Sequence, residues 1–347
     1  MIEINGSYGE GGGQILRTSL SLAAITTQPV RFEHLRAKRK TPGLAAQHLT
    51  SVRAAAAICQ AKVKGDALGS TELEFIPGSP ICAGNYTFEV NTAGAIMLIL
   101  QTVLLPLALA PGNSTVILRG GTHVEFSPPF QYIEQVYLRA LADMGIQANV
   151  QLNAWGWYPK GGGEVELQVT GNTHLTAINL LNRGNFLQVR GVAAVTNLPA
   201  HIPQRMAARA ENLLREAKLT GKVQPLRERG IGAGAGIFLT ADYEHISAGF
   251  SAIGRLGVSA EKVAEKAVEE LLDFHRSGAP VDVHLADQLL LPAALASENS
   301  KYRAAEISLH LKTNAWVIEK FGLARIIIDE EEKVVEIAPF PRKMIKA

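Results

Sequence analysis

Apolar positions first fall into a helical rhythm at residues 14–26, where Ile15, Leu16, Leu20, Leu22 and Ala23 lie toward one side of a helix. Short β-like runs and longer helical runs then alternate. The pattern predicts a strand near 30–36, a helix over 44–61, strands near 72–75 and 86–90, and a helix over 95–109. A strand at 114–118, a helix over 130–144 and strands near 148–153 and 164–169 follow. This reads as α/β, with helices covering sheets of mixed strands. Tyr8 and Tyr158 each begin a Tyr-x-x-Gly-Gly-Gly run, and that echo suggests repeated units of roughly 50 to 60 residues.

From about Leu181 the texture changes. A strand, a helix beginning at IPQRM, two paired strands (GIFLTADY and ISAGFSAIG) and an amphipathic helix make a compact βαββα unit. The last helix has Ser259 as its N-cap and Gly278 as its stop. Afterwards the earlier rhythm resumes, so the expected organisation is a large domain over 1–180 plus 277–347 with a small α/β domain, 181–276, inserted in it.

The run 93–112 is nearly long enough to span a membrane, but Gln101, Thr102 and Pro106 interrupt it, and a helix buried on all sides is the better reading. A buried amide needs a partner or a cleft, so Gln101 is expected to face one. No basic and apolar leader marks the N-terminus, and a cytoplasmic location is expected. Cys59 and Cys82 read as reduced thiols, with no zinc-site spacing. A net charge of +2 does not advertise nucleic acid, yet Arg36, Lys38, Arg39 and Lys40 form a local basic cluster. GIGAGAG at 230–236 is followed by β-rich sequence rather than a helix, which excludes a dinucleotide fingerprint.

In YGEGGGQILR, residues 8–17, glycines precede a helix whose first amides are free to meet an anion. Glu10 would repel a bare phosphate, and a divalent cation between the two would resolve the conflict. No Walker lysine follows, so this is not a P-loop. His310 is expected at the junction between a short strand and a helix over 315–321, with Thr313 or Asn314 able to cap. His48 is either a phosphate ligand or simply exposed. Asp287, in HLADQ at 284–288, is an N-cap or, with Gln288, a reader of a purine or ribose.

Five separated segments, GEGGGQILR, HLRAKRKTPGLAAQHL, LQTVLLP, HLADQLLLP and HLKTN, together resemble the RNA 3'-terminal phosphate cyclase family along essentially the whole chain. The resemblance implies a large domain of repeated βαβαββ units, like those of enolpyruvyl transferases, with an inserted smaller domain. It also implies an activity: ATP-dependent conversion of an RNA 3'-phosphate to a 2',3'-cyclic phosphodiester, through an enzyme–histidine adenylate and an RNA–pp–A intermediate. His310 would be the nucleophile. Glu10 would contact Mg²⁺ or Mn²⁺. Gln14, Gln101, Pro128, Tyr132, His284, Leu285, Ala286, Asp287 and Gln288 would bind ATP, and Arg17, Arg36, Arg39, Gln47 and His48 would hold RNA and ATP phosphates.

This chain has His284 where some members carry tyrosine, and Tyr132 where others carry phenylalanine, which bears on nucleotide preference. The alternative reading is a noncatalytic cyclase-like RNA-binding factor in ribosomal RNA processing. Such relatives lack the histidine, which is present here. An enolpyruvyl transferase would call for sites for a phosphorylated carbon acid.

Overall fold

The computed structural model describes residues 1–341, and the end of the 277–347 segment lies outside the described residues. The first unit runs β1 (Ile2–Asn5), α1 (Gly13–Thr26), β2 (Val30–Glu33), α2 (Ala46–Cys59), β3 (Lys62–Lys64) and β4 (Leu73–Ile76). Its sheet has the order β1-β2-β4-β3, with β1 and β2 parallel and the later pairs antiparallel.

The second unit repeats that plan. It contains β5 (Asn85–Glu89), α3 (Ile96–Leu109), β6 (Ser114–Gly120), a second helical stretch, β7 (Ala148–Ala154) and β8 (Gly163–Val169), in the order β5-β6-β8-β7. The helical stretch consists of α4 (Phe130–Tyr132), a π-turn at Ile133–Tyr137 and α5 (Leu138–Asp143). Both units are therefore βαβαββ, and both are longer than the echo suggested.

The third unit opens with β9 (Asn179–Leu180) and is interrupted at once. The interruption comprises β10 (Phe186–Thr196), α6 (His201–Glu216), β11 (Gly221–Glu228), β12 (Gly234–Tyr243), β13 (Ser247–Ile253) and α7 (Ala260–Ser277). The unit then resumes with α8 (Val283–Gln288), α9 (Leu290–Ala294), β14 (Ser300–Arg303), α10 (Leu309–Lys320), β15 (Ala324–Asp329) and β16 (Val334–Pro339), in the order β15-β16-β14-β9. The inserted unit is βαβββα rather than βαββα. Its extra strand β11 carries polar residues and Pro225, and lies at the sheet edge paired only with β10. Ser259 caps α7 and Gly278 ends it, as its sequence predicts.

The Tyr-x-x-Gly-Gly-Gly echo does not mark equivalent positions. The first copy lies between β1 and α1, the second in the hairpin between β7 and β8. The second-unit equivalent of the glycine loop is the β5–α3 connection, which carries no such motif.

Helices α1, α2, α3 and α10 pack on one another, and the sheets of the three units lie against the helical layer with their other faces toward solvent. Helix α3 is buried almost throughout, which explains its continuous apolar run. Among the described residues no helix is long and apolar enough to cross a membrane. The inserted sheet and helices α6 and α7 form a separate core around Met206, Leu214, Leu239, Leu271 and Phe274.

Two corrections matter for the site. Helix α10 starts at Leu309, because Ser308 caps it by accepting from Leu311 N–H at 3.1 Å. His310 is thus in its first turn, not in a strand, and neither Thr313 nor Asn314 is a cap. Likewise Asp282, not Asp287, caps α8, with its Oδ1 accepting from the amides of His284 and Leu285 at 2.9 Å each. In both places an oxygen-bearing side chain stands three residues before an amide it can satisfy.

Candidate active site

The repeat geometry brings the first helices of the three units together. Gln14 and Arg17 on α1, Gln101 on α3, and Asp287 and Gln288 on α8 line one open cleft with Thr18, Tyr137 and Asn314. Gln101 Nε2 and Gln288 Oε1 are buried there without a hydrogen-bond partner. Orphaned polar atoms of this kind are costly, and in a cleft they are places for a ligand's own donors and acceptors.

Asp287 anchors the floor. Its Oδ1 accepts from Gln14 Nε2 at 3.2 Å, and Gln14 Oε1 accepts in turn from Arg17 at 2.9 Å. Burial pushes the Asp287 carboxyl up to about 7, and the opposing attraction of Arg17 does not restore it. Burial lowers Arg17 to about 10, partly offset by Asp287, so the guanidinium stays charged at neutral pH.

The glycine run forms the neighbouring corner. Helix α1 begins after Gly12 with no side-chain cap, leaving its first amides unclaimed by side chains. A Cβ on Gly12 would strike the Glu10 carboxylate and the Arg39 guanidinium, and one on Gly13 would lie 2.5 Å from His48 Nε2 and 2.7 Å from Arg17 Nη1. Glycine is therefore required for these four side chains to converge on the helix start. Glu10 Oε1 is paired with Arg39, while Oε2 is buried and unpartnered.

Helix α10 locks the corner to the cleft. Glu10 N–H donates to Thr313 Oγ1 at 3.3 Å, and the Tyr8 and Trp316 rings stack with centroids 4.1 Å apart. Asn314 accepts from the Thr18 hydroxyl at 2.7 Å and donates to the Asp287 carbonyl at 3.0 Å. Thr313 and Asn314 follow His310 by three and four positions, so all three share one side of the helix. His310 itself is solvent-exposed, four residues before Asn314 of the cleft. Surrounding protein, and then the charges of Arg17, His284 and Arg39, lower its pKa from the usual value. At neutral pH it is therefore an unprotonated imidazole.

The remaining sequence-named residues divide. His284 is exposed near His310. Arg36 is half-buried and donates to the Gly43 carbonyl at 2.5 Å. His48 is buried, and burial followed by the charges of Arg17, Arg36 and Arg39 lowers it to about 3. It is thus neutral rather than cationic. Its Nδ1 accepts from Ala45 N–H at 3.3 Å, which leaves Nε2 carrying the hydrogen that faces the glycines. Gln47 is already occupied, accepting Ala95 N–H at 2.9 Å.

Leu285 and Ala286 bury their side chains in the core, so only their backbone could face a ligand, and the Ala286 carbonyl accepts from the Tyr302 hydroxyl at 2.5 Å. Pro128 is half-buried in the loop before α4. Tyr132 is buried and donates to Asp282 Oδ1 at 2.8 Å. Asp282, Thr313 and Asn314 were missed as site-building residues, because the starts of α8 and α10 were misread. Ser308 and Asp282, each just before an apolar helix, were the signals available.

Among the described residues no group of three His, Cys, Asp or Glu side chains could hold a metal. Glu10 stands as a single carboxylate with one free oxygen. That donor set fits a hard cation whose other ligands are phosphate oxygens and water, not a site built wholly by protein.

A family model described as RNA 3'-terminal phosphate cyclase matches residues 8–328. A protein named RNA 3'-terminal phosphate cyclase from Nostoc punctiforme is 65% identical over 343 residues, covering 97% of this chain and 99% of the relative. Proteins of the same name from Methylococcus capsulatus and Archaeoglobus fulgidus are 56% and 42% identical, covering 94% and 96% of this chain and 92% and 99% of those relatives.

Proposed function

The chain belongs to the RNA 3'-terminal phosphate cyclase family, and on that premise we propose that it uses ATP to close an RNA 3'-phosphate into a 2',3'-cyclic phosphodiester through an adenylate on His310. The observation that supports this reading is that helix α10 carries both the exposed imidazole of His310, its pKa lowered by its surroundings, and Asn314, which lines a cleft whose buried amides lack partners.

Gln101, Asp287 and Gln288 bind the nucleoside end of ATP. The Gly12–Gly13 corner, with Arg17 and the Nε2–H of His48, receives its phosphates. Glu10 would hold Mg²⁺ or Mn²⁺, which supplies charge neutralisation for the phosphates when bound.

An imidazole nitrogen of His310 attacks the α-phosphorus, the bond to the bridging oxygen breaks, and diphosphate leaves with that electron pair. A terminal RNA phosphate oxygen then attacks the same phosphorus and displaces the histidine, giving RNA–pp–A. The RNA 2'-hydroxyl next attacks the terminal RNA phosphorus, loses its proton, and expels AMP. Arg36 and Arg39 serve the RNA phosphate.

The family name supports enzyme over noncatalytic assembly factor, and His310 is in place for it. The test is covalent: incubation with α-labelled ATP and Mg²⁺ should give an acid-labile protein adduct that His310→Ala does not form. An unlabelled wild-type protein across metals and pH would refute the reading.

A further inference from the structure

The YPKGGGE hairpin, which joins β7 and β8 of the second unit, lies beside the glycine corner's topological counterpart. A Cβ on Gly161 would lie 2.8 Å from the Thr92 carbonyl oxygen and 3.0 Å from Ala93 Cα, so the hairpin is pressed onto the β5–α3 connection. That connection is tied to α2, since Ala95 N–H donates to Gln47 and a Cβ on Gly94 would lie 3.2 Å from Gln47 Cβ. Gln47 immediately precedes His48 of the phosphate corner. Gly161 and Gly162 have φ of 67° and 73°, a left-handed pair that shapes the turn and favours glycine.

On its other side the hairpin meets the inserted unit. Trp155 bridges Gly230, Ile231 fills the space over Gly162, and a Cβ on Gly232 would lie 3.4 Å from Lys160 Cβ. A continuous line of contacts thus runs from His48 through Gln47, the β5–α3 connection and the hairpin to the turn that follows Arg229. Along it Tyr158 is 77% exposed, and Lys160 and Arg229 are exposed with no ion-pair partner among the described residues. By contrast, Arg119, Arg205, Arg209 and Arg255 are each paired with a glutamate. Glu228, next to Arg229, likewise has no ion-pair partner among the described residues.

We propose that this ridge binds the single-stranded RNA upstream of the terminal phosphate, with Lys160 and Arg229 on backbone phosphates and Tyr158 stacking on a base. Exposed cations free of ion pairs, with an exposed aromatic two residues from one of them, are what sequence-tolerant single-strand binding uses. Continuity with the corner that takes the 3'-phosphate gives the strand its direction. The assignment rests on the reading above that the substrate is an RNA 3'-phosphate.

The test uses the full chain, a fluorescent 3'-phosphorylated single-stranded RNA of roughly 12 nucleotides, in the range of known site sizes, and a 3'-phosphorylated dinucleotide too short to reach the ridge. Lys160→Ala with Arg229→Ala should weaken anisotropy-measured binding of the longer RNA about tenfold. The same pair should flatten its log–log salt dependence by about 0.7 per lost phosphate contact. Tyr158→Ala should weaken it several-fold, with Tyr158→Phe restoring it. ATP labelling, dinucleotide cyclisation and thermal unfolding should stay at wild-type values.

Unchanged affinity for the longer RNA, equal loss with the dinucleotide, or a wild type that does not bind the longer RNA at all would overturn the ridge. A wild type that is never labelled by ATP, but binds the longer RNA through Lys160 and Arg229, would retain the ridge and refute the cyclase reading instead.

Discussion

The Tyr132 hydroxyl donates a 2.8 Å hydrogen bond to Asp282 Oδ1, the same oxygen that caps α8 by accepting two amides. The chain end of α4 is thereby tied to the helix carrying Asp287 and Gln288. The inserted unit adds to the same contact, since a Cβ on Gly249 would meet the Tyr132 ring at 2.5 Å. The tyrosine is thus a positioning residue in this structure, holding α8 from behind. Tyr132→Phe removes one bond to a buried carboxylate and is expected to cost about 1–3 kcal/mol. Thermal unfolding should report that loss, and the ATP concentration for half-maximal labelling should rise several-fold while the limiting rate changes little.

His310 gives a pH prediction. Its folded pKa lies below the ordinary histidine value of about 6.5, so the unprotonated imidazole, the form the proposed adenylate requires, dominates at neutral pH. The rate of self-labelling should be flat from neutral pH upward, as far as this group governs it, and should decline only as pH drops below about 6.5. A rate that already falls between pH 8 and 7 would assign the limiting titration to another group. His310→Ala should abolish labelling with an unchanged melting temperature, because the side chain is exposed.

Gly12→Ala introduces no backbone strain but places a methyl against Glu10 and Arg39. Because both are side-chain ends that can swing away, the fold should survive while the corner does not. At least a tenfold loss of Mg²⁺-dependent labelling is expected, measured by titrating the metal at saturating ATP. Equal labelling at every metal concentration would remove Glu10 from the site.

His123 is fully enclosed between Thr122, Gln131, Trp155, Trp157 and Phe238, where the large unit meets the inserted sheet. Burial, opposed by its bond to Gln131, lowers it to about 3. A depressed histidine contributes its full stability above the unfolded pKa near 6.5 and loses it as pH falls toward 3, since the unfolded chain takes up the proton first. His123→Gln should therefore be less stable than wild type at pH 7. That deficit should shrink by about 1.4 kcal/mol per pH unit on acidification between these limits, as read by denaturant titration. A constant difference would mean the buried ring takes up its proton at the same pH as in the unfolded chain.

Several residues that line the cleft and the glycine corner are legible in the sequence, because they are chemically conspicuous in their segments. The glycines beside Glu10 and the amide inside the apolar α3 stand out by conflict with local expectation, and the HLADQ run stands out through the family resemblance. Less legible were the residues whose meaning depends on the helix register. Reading α10 as starting after His310 hid that Thr313 and Asn314 share its side, and reading Asp287 as a cap hid Asp282.

The sequence by itself determined the alternation of elements and the buried α3, because periodicity and capping are local. Tertiary structure alone decided that the first helices of three units converge on one cleft. It alone neutralised His48 and moved Asp287 up to about 7. It also separated the two Tyr-x-x-Gly-Gly-Gly runs into a loop before α1 and a β7–β8 hairpin. Burial and charge proximity are properties of residues far apart in the chain, and no local pattern encodes them.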